Sequence, residues 1–251
     1  MTTKISWTDA TWNPTTGCTM VSPGCAHCYA ETIDHRFDHD KVGKLPWAFP
    51  ASQGGRGVTL HPDRLDQPLH WKKPKRIFVD SMSDLFHEEV PLEFIRQVFE
   101  VMSRASRHTF QILTKRHERL QALAKELDWP ENVWIGVSVE NQYWADRRIP
   151  PLLTVPAAVR FLSVEPLLKP VTIRPYLKDL QWVILGGESG PRARPIKQEW
   201  VQAIRDDCRT AGVPFFFKQW GGRTSKVGGR ELDGRTWDEM PSRGLSLAQH
   251  P

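Results

Sequence analysis

Long apolar runs are missing from this chain: no uninterrupted hydrophobic stretch approaches the ~20 residues that a bilayer-spanning helix requires. That excludes a hydrophobic membrane span. The opening Met1-Thr2-Thr3-Lys4-Ile5-Ser6-Trp7 has no apolar signal region behind its lysine, so export is not expected. Cysteine is scarce as well, four residues in all, yet Cys18, Cys25 and Cys28 fall within one short loop. Three clustered thiols cannot pair off, so a disulfide staple explains them poorly. Free thiols without an export signal place the chain, by expectation, in a reducing cytoplasm. No internal repeat exists beyond a strand–helix alternation. The charge balance has no strong bias, 34 Lys and Arg against 29 Asp and Glu, and the net +5 admits anionic partners without naming one.

From residue 77 onward a short β-branched or aromatic run, a polar cluster and a helical stretch recur. The runs are 77–79, 110–113, 133–137, 159–162, 182–185 and 214–217, most of them nearly continuous in apolar character. Such runs fit parallel strands buried on both faces. The spacing predicts helices over 92–103, with Phe94, Ile95, Val98, Phe99 and Met102 on one face, and over 198–208, with Val201, Ile204 and Cys208. Together with a first short strand near 5–12, this implies a partial (β/α) barrel of about six or seven parallel strands over residues 1–240. Residues 37–71, rich in Pro and Gly, read either as a long insertion after the first helix that faces substrate, or as a loose surface loop. The last residues, 241–251, read as a tail.

The polar clusters follow the strands directly: Asp80-Ser81-Met82-Ser83-Asp84, Thr114-Lys115-Arg116, Ser138-Val139-Glu140-Asn141, Ser163-Val164-Glu165-Pro166, Gly186-Gly187-Glu188-Ser189-Gly190 and Lys218-Gln219-Trp220. One such cluster is ordinary turn chemistry. Six at the C-terminal strand ends of a barrel would deliver acids, hydroxyls and cations to one mouth. Glu165, Glu188 and Lys115 are the candidate catalytic groups, and an equal reading makes the acids ion-pair partners of Lys115, Arg116 or Lys218. Lys115, Arg116, Arg192, Arg194 and Lys218 are the candidate contacts to a polyanion. Cys208, on an apolar helix face, reads as packing. His87 reads as a helix cap.

In the spacing Cys18-x6-Cys25-x2-Cys28, the Pro23-Gly24 bend turns the longer arm back, and helix-forming sequence from Tyr29 follows. Its positive end would favour thiolates. Two centres compete. Zinc would take a fourth ligand from His27, His35 or His39 and form a closed structural site. An iron–sulfur cluster on three thiolates would leave one iron open. A position at a barrel mouth, where a structural metal has little to join, favours the cluster, with His27 packed on it.

A three-cysteine loop after the first strand of a partial barrel, closed by Cys-x-x-Cys and an aromatic, resembles the radical S-adenosylmethionine superfamily. Longer runs resemble a phage- and prophage-associated family of three-cysteine-motif proteins of unassigned function. They are Thr11-Trp12-Asn13-Pro14, Cys25-Ala26-His27-Cys28-Tyr29-Ala30, Asp80 to His87, Leu113 to Arg116, Ser163 to Leu167, Gly186 to Gly190 and Asp233 to Trp237.

The superfamily resemblance implies a [4Fe–4S] cluster on Cys18, Cys25 and Cys28, with S-adenosylmethionine on the open iron and a 5′-deoxyadenosyl radical as the reactive species. Two features depart from its pattern: the first gap is six rather than three, and Gly186-Gly187-Glu188 follows a late strand rather than the second. By position, Ser81, Ser83 and Asp84 are then expected at the cofactor's methionyl end, and Ser138, Glu140 and Asn141 at its ribose. The expected substrate is nucleic acid, in DNA modification or lesion repair. An electron donor and a separately encoded protein are the expected partners. Two rivals remain: a zinc-stabilised nucleic-acid-binding module, and a hydrolase or nuclease holding a divalent ion on Asp84, Glu140, Glu165 and Glu188.

Overall fold

The computed structural model describes residue 3 and residues 5–30, 57–224 and 227–241. In chain order the strands are β1 (Ala10–Trp12), β2 (Thr15–Thr16), β3 (Thr59–Leu60), β4 (Arg76–Val79), β5 (Thr109–Thr114), β6 (Val133–Ser138), β7 (Val159–Val164), β8 (Trp182–Gly186), β9 (Phe215–Gln219), β10 (Glu231–Leu232) and β11 (Arg235–Thr236). β1 and β4 to β9 form a single seven-stranded sheet in the order β1-β4-β5-β6-β7-β8-β9, parallel at every pairing. Sequential parallel neighbours joined by crossovers are the topology of a (β/α) barrel. Among the described residues β1 and β9 remain the open edges. The fold is a partial (β/α) barrel.

Helices cover one face: α1 (Leu92–Arg104), α2 (His117–Leu123), α3 (Gln142–Leu153) and α4 (Gln198–Ala211). α1 follows Pro91, which fixes its entry, and turns Phe94, Ile95, Val98, Phe99 and Met102 onto the sheet. α4 stops at Gly212, whose φ of 68° is left-handed. Cys208 is fully buried in this helix–sheet core, as its apolar position implied.

The opposite sheet face carries a second, aromatic cluster of Trp7, Phe78, Trp134, Phe161, Trp182 and Phe216. Ring centroids of Trp7, Trp134, Phe161 and Phe216 lie 5.5–6.2 Å from that of Trp182. Gly136 sits in register with Phe161 because that ring fills the space a Cβ would need. Trp7 is not part of the first strand, which is shorter than the expected 5–12; it folds beneath the sheet and closes this cluster.

Two segments are more ordered than the sequence suggests. Residues 57–71 supply β3, which pairs with β2, and two short 3-10 turns, with Leu60, Leu65, Leu69 and Trp71 packed on the core. The part of the 37–71 excursion before residue 57 lies outside the described residues, as does the tail from 242. Beyond Gly222, the β10–β11 hairpin places Trp237 against Phe215, beneath the guanidinium of Arg235 at 3.6 Å. Among the described residues no helix is long and apolar enough to cross a membrane.

Candidate metal centre

The cysteine loop is launched where β1 and β4 end. Asn13 Oδ1 accepts from Met82 N (3.2 Å) and Ser81 Oγ (3.1 Å). Gly17 N donates to Met82 O (3.0 Å), and Ser83 Oγ donates to Gly17 O (2.6 Å). Gly17 has φ 94° and lies against the Gly57 carbonyl, so only glycine fits. The chain then crosses the C-terminal strand ends through a 3-10 turn at Pro23–Cys25, and becomes helical at Tyr29 and Ala30. Cys18, Cys25 and Cys28 are half-buried and form no disulfide.

Three strand ends grip this loop. After β5, Arg116 Nη2 donates to Thr19 Oγ1 (2.8 Å) and Thr19 O (3.1 Å) and lies 3.9 Å from Cys18 Sγ. Arg116 is itself held by Glu88 and, at 3.9 Å, by Asp84. After β6, Glu140 accepts from Ser22 Oγ at 2.5 Å and from Arg148 Nη1 at 3.0 Å. The Glu140–Arg148 pair is wholly buried, with Arg148 stacked 4.0 Å over Trp144. A side chain at Gly24 would run into that Glu140 carboxylate. After β8, Glu188 bonds His27 Nδ1 (3.0 Å) and Arg194, whose Nη2 also donates to Pro23 O (2.9 Å).

The electrostatics follow from this packing. Burial, reinforced by Asp84, pushes the Cys18 thiol up to about 12 in the metal-free chain, against the pull of Arg116. Burial works against the Lys115 ammonium, yet Cys25, Glu140 and Cys28 outweigh it and hold Lys115 above its ordinary value. Burial would raise Glu188, but the bonds from Arg194 and His27 outweigh it and bring the carboxyl to about 2. Asp80 is pushed up to about 8 by burial; its Oδ1 accepts from Thr15 N (2.9 Å) and its Oδ2 has no hydrogen-bond partner among the described residues.

The donor set is three soft thiols flanked by two cations, which suits an iron–sulfur cluster better than a hard ion. Among the described residues, no three His, Cys, Asp or Glu side chains converge on one ion-sized point. His27 spends Nδ1 on Glu188, while His35 and His39 lie outside the described residues.

Residues 2–241 match a family model described as "Protein of unknown function (DUF5131)". The chain belongs to that family. No curated protein matches this DUF5131 member significantly. Among solved structures it is similar to a cysteine-to-serine mutant of spore photoproduct lyase, at 13% identity and a TM-score of 0.48, covering 82% of this chain and 62% of that one. A spore photoproduct lyase complexed with dinucleoside spore photoproduct gives 11% identity and a TM-score of 0.45, covering 77% and 59%. The DUF5131 chain thus spans less than two thirds of the structures it matches, and values this low carry no statement about activity.

The remaining candidates fall into two groups. Ser81, Ser83 and Asp84 are engaged by the framework: Asp84 accepts from Thr114 Oγ1 (2.7 Å), Lys115 N (3.0 Å) and Phe86 N (3.1 Å). Asn141 caps α3 through Trp144 N (3.2 Å). Ser138 is buried beside Ser163, and its carbonyl accepts from Arg148. Glu165 pairs with Lys218 at 3.2 Å and accepts from Ser163 Oγ. Asp84, Glu140, Glu165 and Glu188 each face a basic side chain, Arg116, Arg148, Lys218 and Arg194 in turn. Arg192 is exposed and makes no hydrogen bond or ion pair among the described residues.

His27 ties the loop to the barrel through Glu188. His87 does not cap the next helix, whose N-cap is Pro91; its Nδ1 accepts from Glu89 N (3.1 Å) in the preceding turn, and its Nε2 meets Thr19 Oγ1 (2.9 Å) in the loop. Sequence reasoning missed Arg148, Thr19, Ser22 and Asn13. Arg148 sat within a basic Arg147-Arg148 pair, and only its place on the apolar side of α3 with Ala145, Ile149 and Leu152 distinguishes it.

Proposed function

We propose that this DUF5131 protein is a radical S-adenosylmethionine enzyme acting on nucleic acid. One observation carries it: a three-thiol loop lies across the C-terminal mouth of a partial parallel barrel, held by strand-end side chains. Cys18, Cys25 and Cys28 would hold a [4Fe–4S] cluster. When bound, that cluster with S-adenosylmethionine supplies one-electron reductive cleavage to a 5′-deoxyadenosyl radical.

The chain's own residues orient and shield. Arg116 and Lys115 offset thiolate charge, and Glu140 and Glu188 fix the loop. The aromatic cluster closes the far end of the sheet to water. Tyr29, with its hydroxyl donating to Ser81 O at 2.5 Å, stands near both Cys28 and Glu165. Lys218 and Glu165 are the polar pair at the neighbouring strand ends, where a substrate would meet them. Support for a polyanionic substrate is the net +5 and the exposed guanidinium of Arg192, which has no partner among the described residues. DNA lesion repair or modification is the reaction class we favour, with an external electron donor.

The test is anaerobic purification with iron, sulfide and zinc counted, then reduction with S-adenosylmethionine and assay for 5′-deoxyadenosine. About four irons per chain and 5′-deoxyadenosine are expected. Stoichiometric zinc without iron uptake would sink the proposal. For the substrate, DNA affinity should fall steeply with salt; a flat response removes the polyanion.

A further inference from the structure

Glu188 ends the Gly186-Gly187-Glu188 run, the element that a radical S-adenosylmethionine resemblance would assign to the cofactor. Its backbone is fixed by the rigid barrel: Gly187 N donates to Gln219 O (2.9 Å), and Glu188 O accepts from Gly222 N (2.9 Å). A side chain at Gly187 would strike the Trp220 carbonyl, so the two strand ends approach this closely only through glycine.

The carboxylate itself is spent. Oε2 takes Arg194 N and Nε, both at 2.9 Å, and His27 Nδ1 at 3.0 Å; Oε1 takes Arg194 Nη2 at 2.5 Å. It is 5% exposed. The bidentate pair then reaches into the cysteine loop at two points, His27, between Cys25 and Cys28, and the Pro23 carbonyl. His27 lies within the Cys25–Cys28 arm, and Pro23 lies two residues before Cys25, in the 3-10 turn that leads into it. Cys18 is held separately, through Arg116, Thr19 and Ser83.

We infer that Glu188 and Arg194 are positioning residues that clamp the Cys25–Cys28 arm to the end of β8, and that Glu188 contacts neither cofactor nor substrate. Arg194 accordingly leaves the set of polyanion contacts. A bidentate guanidinium bridging a carboxylate and a carbonyl fixes direction as well as distance, which a lysine in its place cannot do. The inference deepens the proposed function, because an arm with set geometry matters where two thiolates must meet one cluster.

The test uses the metal-free full chain and iodoacetamide, with modification of each cysteine resolved by mass spectrometry. Arg194→Ala and Glu188→Ala should raise the labelling rates of Cys25 and Cys28 about tenfold, the effect of losing a charge-assisted anchor. Cys18 should stay near its wild-type rate, and buried Cys208 should stay protected. Arg194→Lys should restore part of the protection. Should either alanine variant fail to fold, His27→Ala cuts the loop side alone and gives the same comparison. Unchanged rates at Cys25 and Cys28 would overturn the clamp, and so would a joint rise at all four cysteines, which marks general loosening. Iron uptake is measured in parallel on the same variants. Wild type that takes up no iron overturns the proposed function, while the labelling pattern still decides the clamp.

Discussion

The two ends of the barrel use the same strands for opposite purposes. Towards the strand N-termini, inward positions hold Phe78, Trp134, Phe161, Trp182 and Phe216, an apolar plug with Trp7 across it. Towards the C-termini, the same alternation presents Lys115, Ser138, Ser163 and Lys218, with Glu165 and Glu188 beyond. Burial of rings stabilises the first end without directionality. The second is held by directional ion pairs, whose net stabilisation is small because each charge loses hydration. What they supply is a fixed loop. Stability and candidate chemistry are thus separated along the strand axis, as the strand-end rule for barrels leads one to expect.

Predictions that break this separation run from large to small. Cys25→Ser should abolish iron uptake and lower 5′-deoxyadenosine formation by at least about 10³-fold, the scale expected when the group doing the chemistry is lost. Its urea midpoint should stay close to wild type, because Cys25 is half-buried in a loop. At the other end, Trp182→Ala should cost about 3–5 kcal/mol in urea unfolding, by emptying the centre of the aromatic cluster. If that variant lost little stability, the plug would not be the stabilising end.

Arg148→Ala tests whether the mouth is also structural. Leaving Glu140 unpaired at 0% exposure should cost about 3–5 kcal/mol, whereas Glu140→Gln with Arg148→Met should cost far less. Equal losses in the two variants would mean that the ion pair itself stabilises the fold.

Asp80 gives a pH-dependent test. It keeps its proton in the fold up to about pH 8, whereas the unfolded chain releases it at about pH 4. The unfolded state therefore binds fewer protons between these values, so the stability that Asp80 contributes is fully present below about pH 4, falls through that window and levels off above it. Asp80→Asn keeps the acceptor for Thr15 N and should flatten this slope, gaining about 1–3 kcal/mol at pH 8 relative to wild type and little at pH 5. Urea midpoints at the two pH values check it. The smallest effect is at the rim, where Arg192→Ala should reduce the salt slope of DNA binding by about one.

The strands were legible because each is short, apolar and β-branched or aromatic; all six runs from residue 77 onward recur in the structure with ends shifted by a few residues at most. The helices over 92–103 and 198–208 showed a clear apolar stripe. α3 did not stand out, since Pro150 and Pro151 within its last turn remove two N–H donors and read as breakers, yet the helix runs through them to Leu153. Segment 57–71 lacks periodicity because it packs through turns, with Leu60, Leu65 and Leu69 reaching the core at irregular spacing. Of the candidate site, the three cysteines and the strand-end clusters were visible as local runs. Their pairings were not: Ser22 with Glu140 spans 118 positions, and His27 with Glu188 spans 161.

By itself the sequence determined the barrel class, the three-thiol loop and the polar character of the mouth, because each is written in contiguous residues whose types dictate local structure. Only the tertiary structure decided what those polar groups do. It set which base each acid faces: Asp84 meets Arg116, Glu140 meets Arg148, Glu165 meets Lys218 and Glu188 meets Arg194. It also joined Arg194, a candidate polyanion contact by sequence, to Glu188 and the Pro23 carbonyl. The reason is physical: a buried charge must find an opposite charge or a hydrogen-bond partner, and which one lies within reach is set by the folding of distant strand ends onto one mouth.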